Sequence, residues 1–434
     1  MRDVPDPHAD RTAGGAAPGP RLFYGWWMVL AGFGVEVLHG TLLFHSFTAY
    51  VLPLEQEFGW SRAAIAGVFA MARAESGLLG PLQGWLTDRY GPRWMMVIGN
   101  AVFGLGFVLF SRVESLLSFY LCFAVIALGS SLGGFMPIAT SLTNWFTRWR
   151  AAAMGIAMSG AGVGGMFVPV VVWSLAAHGW RATALWSALL IVAVAVPTSL
   201  AMRRSPEEHG SRPDGAAAGH DPAGAAAALP AEPDFTVGQA LRTPAFWLLS
   251  ITHSAALFVV GAVMLHQIPH MVHGVGLSTE EAAGVVTVLL GVQVSFQFLG
   301  GFVSNRFSKR LSIFACMWIH TVAVILFAFA ESATEALIFA ALHGLAWGIR
   351  GPLINAMRAD YFGRRSFARI SGFASLIIMI GMMSGPLFAG FLYDNYGDYR
   401  AAFLILAGIT ALGSFAVLFA RQPHMPRREN NRPV

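Results

Sequence analysis

Long apolar stretches separated by short polar gaps make up most of this chain. Windows of about 20 apolar residues, the length that a helix needs to cross a bilayer, occur repeatedly. They predict twelve membrane-spanning helices, at residues 23–47, 62–83, 94–112, 115–143, 151–176, 181–202, 245–268, 280–303, 311–330, 334–357, 367–391 and 399–420. Hydrophobic residues make up 56% of the chain and charged residues 12%, against about 25% charged in soluble domains. We therefore expect an all-α membrane protein whose main partner is the lipid bilayer.

Polar segments divide these predicted helices into two sets of six. Residues 1–20 and 422–434 are expected to be disordered cytoplasmic tails. Residues 203–241, rich in Ala, Pro, Gly and charge, are expected to form a flexible cytoplasmic linker. Residues 21–202 and 242–421 then form an N-terminal and a C-terminal six-helix bundle.

One short polar loop occurs once in each bundle. Residues 84–93 read GWLTDRYGPR, and residues 301–310 read GFVSNRFSKR. Other segments repeat at nearly the same offset, so the two bundles are predicted to be parallel repeats. The copies differ at three charged positions, where Arg350, Arg73 and Glu36 align with Phe135, Leu290 and Ala256. A scaffold that both copies share does not need these charges, whereas binding of a substrate or a coupling ion could require them.

Basic residues are distributed unevenly between alternate polar gaps. With the N-terminus inside, the inside segments hold 22 of the 28 basic residues, and the outside loops hold four. Because Arg and Lys favour the cytoplasmic side, both termini and the linker are expected in the cytoplasm. The net charge of +5 is thus a consequence of topology, and we expect no nucleic-acid partner. The preference for Arg over Lys and the Ala/Gly richness suggest a bacterial inner membrane.

Two arginines fall inside predicted spans, where an ionised side chain costs roughly 2.5–3.5 kcal/mol. Arg73 lies near the middle of the second span and Arg350 a little past the middle of the tenth. We predict that they bind a carboxylate through the guanidinium group. Alternatively, an internal acid such as Glu36 or Glu75 neutralises each of them. His343 and Trp347 share the helical face of Arg350.

A buried carboxyl group in the first span could carry a coupling proton. Glu36 lies in the middle of that span, and His39 follows one turn later. The alternative for Glu36 is a salt bridge to Arg73 on the neighbouring helix. Although the chain contains 13 histidines and two cysteines, none has the setting of a metal site, so no metal or other cofactor is expected.

The loop at residues 84–93 resembles the signature loop of the Major Facilitator Superfamily of secondary transporters, which has the form Gly-x-Leu-x-Asp-Arg-x-Gly-x-Arg. Residues 24–27 (YGWW), 53–62 (PLEQEFGWSR), 148–155 (RWRAAAMG) and 381–399 resemble monocarboxylate-porter-like members, including the oxalate/formate exchanger branch. The resemblance implies twelve helices in two pseudo-symmetric bundles. It also implies a gating role for four loop residues, namely Asp88, Arg89, Arg93 and, in the second copy, Arg306.

The chain departs from that branch at the positions where its porters hold an anion. The eighth span has no charge and offers only Gln293 and Gln297. The basic residue that some exchangers carry on the eleventh span is also missing. An anionic substrate must therefore be held from elsewhere, and we predict a site formed by Arg350, Arg73, His343, Trp347 and Gln293.

Together these patterns predict a secondary active transporter that moves a small organic anion, a monocarboxylate, by alternating access. Proton symport is the expected coupling, because the interior has titratable groups and no obvious sodium site. Anion exchange, export of amphipathic metabolites or drugs, and a solute sensor that does not transport are the alternatives. We expect a monomer, and no enzymatic motif is present.

Overall fold

The computed structural model describes residues 23–215, 234–303 and 306–424. The side chain of Arg73 lies outside this description, as does Asn305 of the second polar loop. The predicted tails lie almost entirely outside it as well. Statements below about missing partners refer to the described residues.

The N-terminal half is helical from its first described residues. Its α-helices are Tyr24–His39 (α1), Val51–Phe58 (α2), Arg62–Leu78 (α3), Gly80–Tyr90 (α4), Pro92–Phe110 (α5), Leu116–Gly133 (α6), Phe135–Trp145 (α7), Arg150–Gly164 (α8), Val168–Leu190 (α9) and Val196–Ser199 (α10). A π-helical turn, Gly40–His45, continues α1. Pro81 has no backbone N–H to donate to the preceding turn, which accounts for the break between α3 and α4.

The C-terminal half repeats this pattern with longer, less interrupted helices. They are Val237–Leu241 (α11), Pro244–His270 (α12), Thr279–Val303 (α13), Lys309–Ala328 (α14), Ala333–Phe362 (α15), Phe367–Tyr396 (α16) and Arg400–Phe419 (α17). Pro352 lies inside α15, and the helix nevertheless continues for ten more residues to Phe362.

The observed helices correspond to the twelve predicted spans. Ten stretches of the described chain are long and apolar enough to cross a membrane. One of them, Arg150–Ser199, contains two spans, because Gly179 has φ 77° and turns the chain between them. The remaining predicted span, at residues 62–83, consists of α3 and the start of α4. The protein is therefore an all-α, multi-pass membrane protein with twelve spans.

Each half has its own apolar core. The phenylalanines of α5 and α6, among them Phe103, Phe107 and Phe119, are fully buried in the N-terminal half. In the C-terminal half, Phe327, Phe339 and Phe403 form a corresponding cluster. Many large apolar side chains elsewhere are exposed, as expected for helices whose outer faces contact lipid.

The halves contact each other most extensively along two pairs of helices, α4 with α16 and α8 with α13. Glycines permit the close approach: a Cβ atom on Gly84 would lie 2.3 Å from the carbonyl oxygen of Ala368. Similarly, a Cβ atom on Gly155 would lie 2.3 Å from the carbonyl oxygen of Gln297. Small residues at such crossings allow backbones to pack closely in membranes.

The first part of the predicted linker is bound to the N-terminal half. Asp214 accepts hydrogen bonds from the backbone N–H groups of Thr147, Arg148 and Trp149, at 3.1, 2.8 and 3.4 Å. These groups precede α8, where a carboxylate satisfies unpaired N–H groups and complements the helix dipole. We call the side of the molecule that carries this segment the linker side.

Candidate functional site

A cavity of about 430 Å³ lies between the two halves. From the N-terminal half, α1, α3, α4, α6, α7 and α8 line it, and from the C-terminal half α12, α13, α15 and α16 do so. Its polar lining includes Glu36 and His39 on one side and His253, Arg350 and Arg358 on the other. Glu36 and Arg350, two charges that the internal repeat does not duplicate, thus both line the cavity.

Arg350 lies on α15 and its side chain is fully buried. Its Nε and Nη1 atoms have no hydrogen-bond partner among the described residues. The helix is held firmly there, because Gly344 and Gly348 bring it against the backbone of α13. A guanidinium group with unused N–H donors beside a cavity is suited to an anion with two acceptor oxygens.

Arg358 is a second buried cation of the same cavity, and the sequence analysis did not select it. Its side chain is 2% exposed and its Nη1 donates to Asn355 Oδ1 at 3.0 Å, while Nη2 has no partner within the described chain. Asn355 is itself fixed by donating to the carbonyl of Gly351 at 3.0 Å. The predicted tenth span ended at residue 357, so Arg358 was counted with the loop charges. The helix instead continues to Phe362.

Glu36 faces this cavity from α1. It is 6% exposed, and its Oε1 atom has no hydrogen-bond partner in the described part of the chain. The alternative of a salt bridge to Arg73 falls on a side chain outside the description. Among the described residues, Glu36 and the two arginines are the carboxyl and guanidinium groups that line the cavity.

His39 also faces the cavity, but both of its ring nitrogens are engaged. Nε2 lies 2.8 Å from Asn100 Oδ1, and Nδ1 lies 3.1 Å from Ser130 Oγ. The amide nitrogen of Asn100 donates elsewhere, to Met96, Gly133 and Ser199. Asn100 Oδ1 is therefore an acceptor, which assigns the proton to His39 Nε2.

The other predicted substrate residues lie at different depths. Trp347 lines the cavity, whereas His343 lies behind it, with Nδ1 3.2 Å from Nδ1 of His320. Gln293 is buried and is not among the residues that line the cavity. Gln297, one turn further along α13, lines it instead, and its Oε1 has no partner in the described residues.

On the linker side, ion pairs join the two halves. Arg369 Nε donates to Asp88 Oδ2 at 2.7 Å. Arg150 Nη1 pairs with Asp360 Oδ1 at 2.5 Å, and the second carboxylate oxygen of Asp360 pairs with Lys309. Both carboxylates thus connect helices from opposite halves.

The structure corrects the expectation that the eleventh span carries no basic residue. Arg369 lies in the first turn of α16, where it pairs with Asp88 and does not line the cavity. Arg150 and Asp360 were also missed, because an ion pair between positions 210 residues apart leaves no local signal.

The remaining predicted gating residues contact aromatic rings or solvent. The guanidinium of Arg89 lies 5.6 Å from the ring centroid of Trp85, and that of Arg93 lies 6.0 Å from Trp94. Arg306 is exposed on the linker side. Of the four, Asp88 is the residue for which the structure shows an ion pair between the halves.

Comparison with known proteins places this fold and cavity in a family. The sequence model of the Major Facilitator Superfamily matches residues 28–292 and 263–434, so the chain belongs to that superfamily. It is therefore related to transporters.

Individual relatives extend over nearly the whole chain. An "Oxalate:formate antiporter" from Oxalobacter formigenes is 26% identical over 419 residues, covering 94% of this chain and 93% of the relative. "Monocarboxylate transporter 11" from Homo sapiens is 25% identical over 437 residues, covering 95% and 86%. The crystal structure of the transporter FucP in the outward conformation aligns with a TM-score of 0.73 at 17% identity. The alignment covers 93% of this chain and 99% of FucP, which shows that the two proteins share a fold.

Proposed function

We propose that this protein transports a small organic anion, a monocarboxylate, by alternating access of the central cavity. The observation that carries the proposal is Arg350, a fully buried cation at the cavity whose Nε and Nη1 atoms have no partner among the described residues. Leaving a buried charge unpaired is costly, so such a group is expected to face a charged ligand. Arg358 adds a second cation to the same cavity.

The relatives support this substrate class. One is named an oxalate:formate antiporter and another a monocarboxylate transporter, and both names refer to small carboxylates. In α13, the eighth predicted span, no charged side chain follows the first turn over its described length, whereas α15 carries both cavity arginines. The carboxylate is therefore expected to bind to α15.

Proton coupling is part of the proposal and rests on Glu36. This carboxyl group lines the same cavity as the two arginines, and one of its oxygens is unpartnered in the described structure. A carboxyl group that binds a proton there would reach either side of the membrane as the cavity changes access. Exchange is the second candidate, favoured by the antiporter among the relatives.

We infer further that the linker side is cytoplasmic and that the protein resides as a monomer in a bacterial inner membrane. The basic residues concentrated on the linker side support this orientation. The ion pairs of Asp88 and Asp360 then close the cytoplasmic side, and the described conformation corresponds to access from outside.

The test is uptake of labelled carboxylates into proteoliposomes, with and without an inward proton gradient. The Arg350→Gln variant is compared with Arg112→Gln, which removes a charge from an exposed residue. Saturable uptake that is stimulated by the gradient and lost only in Arg350→Gln is the expected result. A lack of uptake of every carboxylate by folded protein would overturn the substrate class. Uptake that requires a preloaded carboxylate and ignores the gradient would establish exchange.

A further inference from the structure

A second pocket, of about 870 Å³, opens on the linker side. It shares no lining residue with the central cavity. Its walls come from the chain entering α8, the ends of α13, α15 and α17, and the start of α14. It therefore lies where membrane helices end, at the boundary between the apolar and polar parts of the chain.

The pocket is strongly basic. Five cationic side chains line it: Arg148, Arg306, Lys309, Arg310 and Arg421. The acid in its lining is Asp360, whose two oxygens already pair with Arg150 and Lys309. The four arginines have no acidic partner among the described residues.

Aromatic rings accompany these charges. Trp149 and Phe302, one from each half, lie with their ring centroids 5.9 Å apart. Phe302 is 43% exposed and Phe307 is 65% exposed, so both offer apolar surface beside the arginines. Binding of an inorganic anion would require only the charges. This pocket combines charges with exposed aromatic rings at a membrane boundary, which suits a ligand with both a charged and an apolar part.

We propose that this pocket binds the headgroup of an anionic phospholipid from the surrounding bilayer. The phosphodiester is held by Arg306, Arg310 and their basic neighbours, because guanidinium groups form charge-assisted hydrogen bonds to phosphate. The glycerol and upper acyl chains lie against Phe302 and Phe307. Basic pockets between membrane helices on the cytoplasmic side are known to hold such headgroups.

Because the two halves both contribute to the pocket, a bound lipid contacts both at once. It lies next to Lys309, which pairs with the carboxylate that joins Arg150 to the C-terminal half. Lipid binding is therefore expected to favour the conformation in which the linker side is closed.

Native mass spectrometry of the detergent-solubilised full chain tests the proposal. Dipalmitoyl phosphatidylglycerol is titrated against dipalmitoyl phosphatidylcholine, with wild type and the double variant Arg306→Gln/Arg310→Gln. The matched control is Arg112→Gln/Arg400→Gln, which removes two exposed charges elsewhere. The pocket variant should lose about thirtyfold in phosphatidylglycerol affinity, since each basic residue near an anionic lipid contributes about fivefold. The control should retain wild-type binding.

Three results would overturn the proposal. Equal losses in both double variants would mean a general effect of charge. Equal binding of the two lipids by wild type would mean that no anionic site exists. Displacement of the lipid by millimolar inorganic phosphate would identify a free-phosphate site. The charge-preserving Arg306→Lys/Arg310→Lys variant should keep selective binding, so misfolding of the Gln variant would not leave the question open.

Discussion

Arg369 donates from Nε to Asp88 Oδ2 at 2.7 Å and so joins the first polar loop to the opposite half. The Asp88 side chain is 9% exposed and that of Arg369 is 39% exposed. Asp88 lies beyond the predicted second span, and burial raises the pKa of its carboxyl group even though Arg369 acts to lower it. The free-energy cost of desolvating the Asp88 carboxylate is therefore only partly offset by the ion pair with Arg369.

Because Arg369 only partly offsets this desolvation cost, removing Arg369 should affect closure of the linker side more than removing the charge of Asp88. Arg369→Gln leaves a buried carboxylate without its cation and should open the linker side about tenfold more often, the order of a lost charged hydrogen bond. Asp88→Asn removes the buried charge and should have a much smaller effect. The double variant should behave like Asp88→Asn.

Opening can be measured from the labelling rate of a cysteine in the cavity. Ser375→Cys, in a background of Cys122→Ser and Cys316→Ser, is exposed to a membrane-impermeant maleimide from the linker side. Equal acceleration by Asp88→Asn and Arg369→Gln would refute the asymmetry.

The raised pKa of Asp88 also predicts a pH dependence. In the closed form this carboxyl has a higher pKa than a solvated aspartate, so protonation favours the closed form. Closure should therefore be strongest below the ordinary pKa of an aspartate and should weaken as pH rises through the raised pKa. The labelling rate of Ser375→Cys, normalised to unfolded protein at each pH, should fall as the pH is lowered through that raised pKa. In an Asp88→Asn background the normalised rate should not change.

The spans and the place of Asp88 in the first polar loop could be predicted because their signals are local. The bilayer requires about 20 apolar residues per helix, and a glycine such as Gly179 between two such runs marks the turn. The partner of Asp88 was beyond prediction, because Arg369 lies 281 positions away and a loop pattern says nothing about distant contacts.

Helical periodicity identified residues that share one face of α15, but it did not show which of them reach the cavity. His343 shares a face with Arg350, yet it lies two turns away and contacts His320 rather than the cavity. Arg358 was missed for a different reason: hydropathy ends a span where charge begins, whereas α15 continues past that charge.

Arg358 is predicted to contribute to anion affinity. Arg358→Gln should raise the KM for carboxylate uptake about tenfold, because it removes a charged donor from the cavity. Arg358→Lys should restore part of the affinity, since it keeps the charge but not the paired donors. Initial uptake rates over a range of substrate concentration measure this.

Arg365→Gln is the matched control, because Arg365 is largely exposed and pairs with Asp234 outside the cavity. If Arg358 only supports the helix, its Gln variant would reduce the amount of folded protein while the KM stays at the wild-type value. That result would remove Arg358 from the binding site.

The last prediction separates Glu36 from His39 as the carrier of a coupling proton. His39 has both ring nitrogens in hydrogen bonds to Asn100 and Ser130, so protonating it would break one of them. Glu36 has an oxygen at the cavity that has no hydrogen-bond partner among the described residues. Glu36→Gln should therefore abolish stimulation of uptake by a proton gradient while substrate counterflow continues, since counterflow needs no net proton movement. His39→Gln should lower the thermal stability of the protein and leave the stimulation in place. Stimulation that persists in Glu36→Gln would exclude this carboxyl group as the coupling site, because an amide cannot carry the proton.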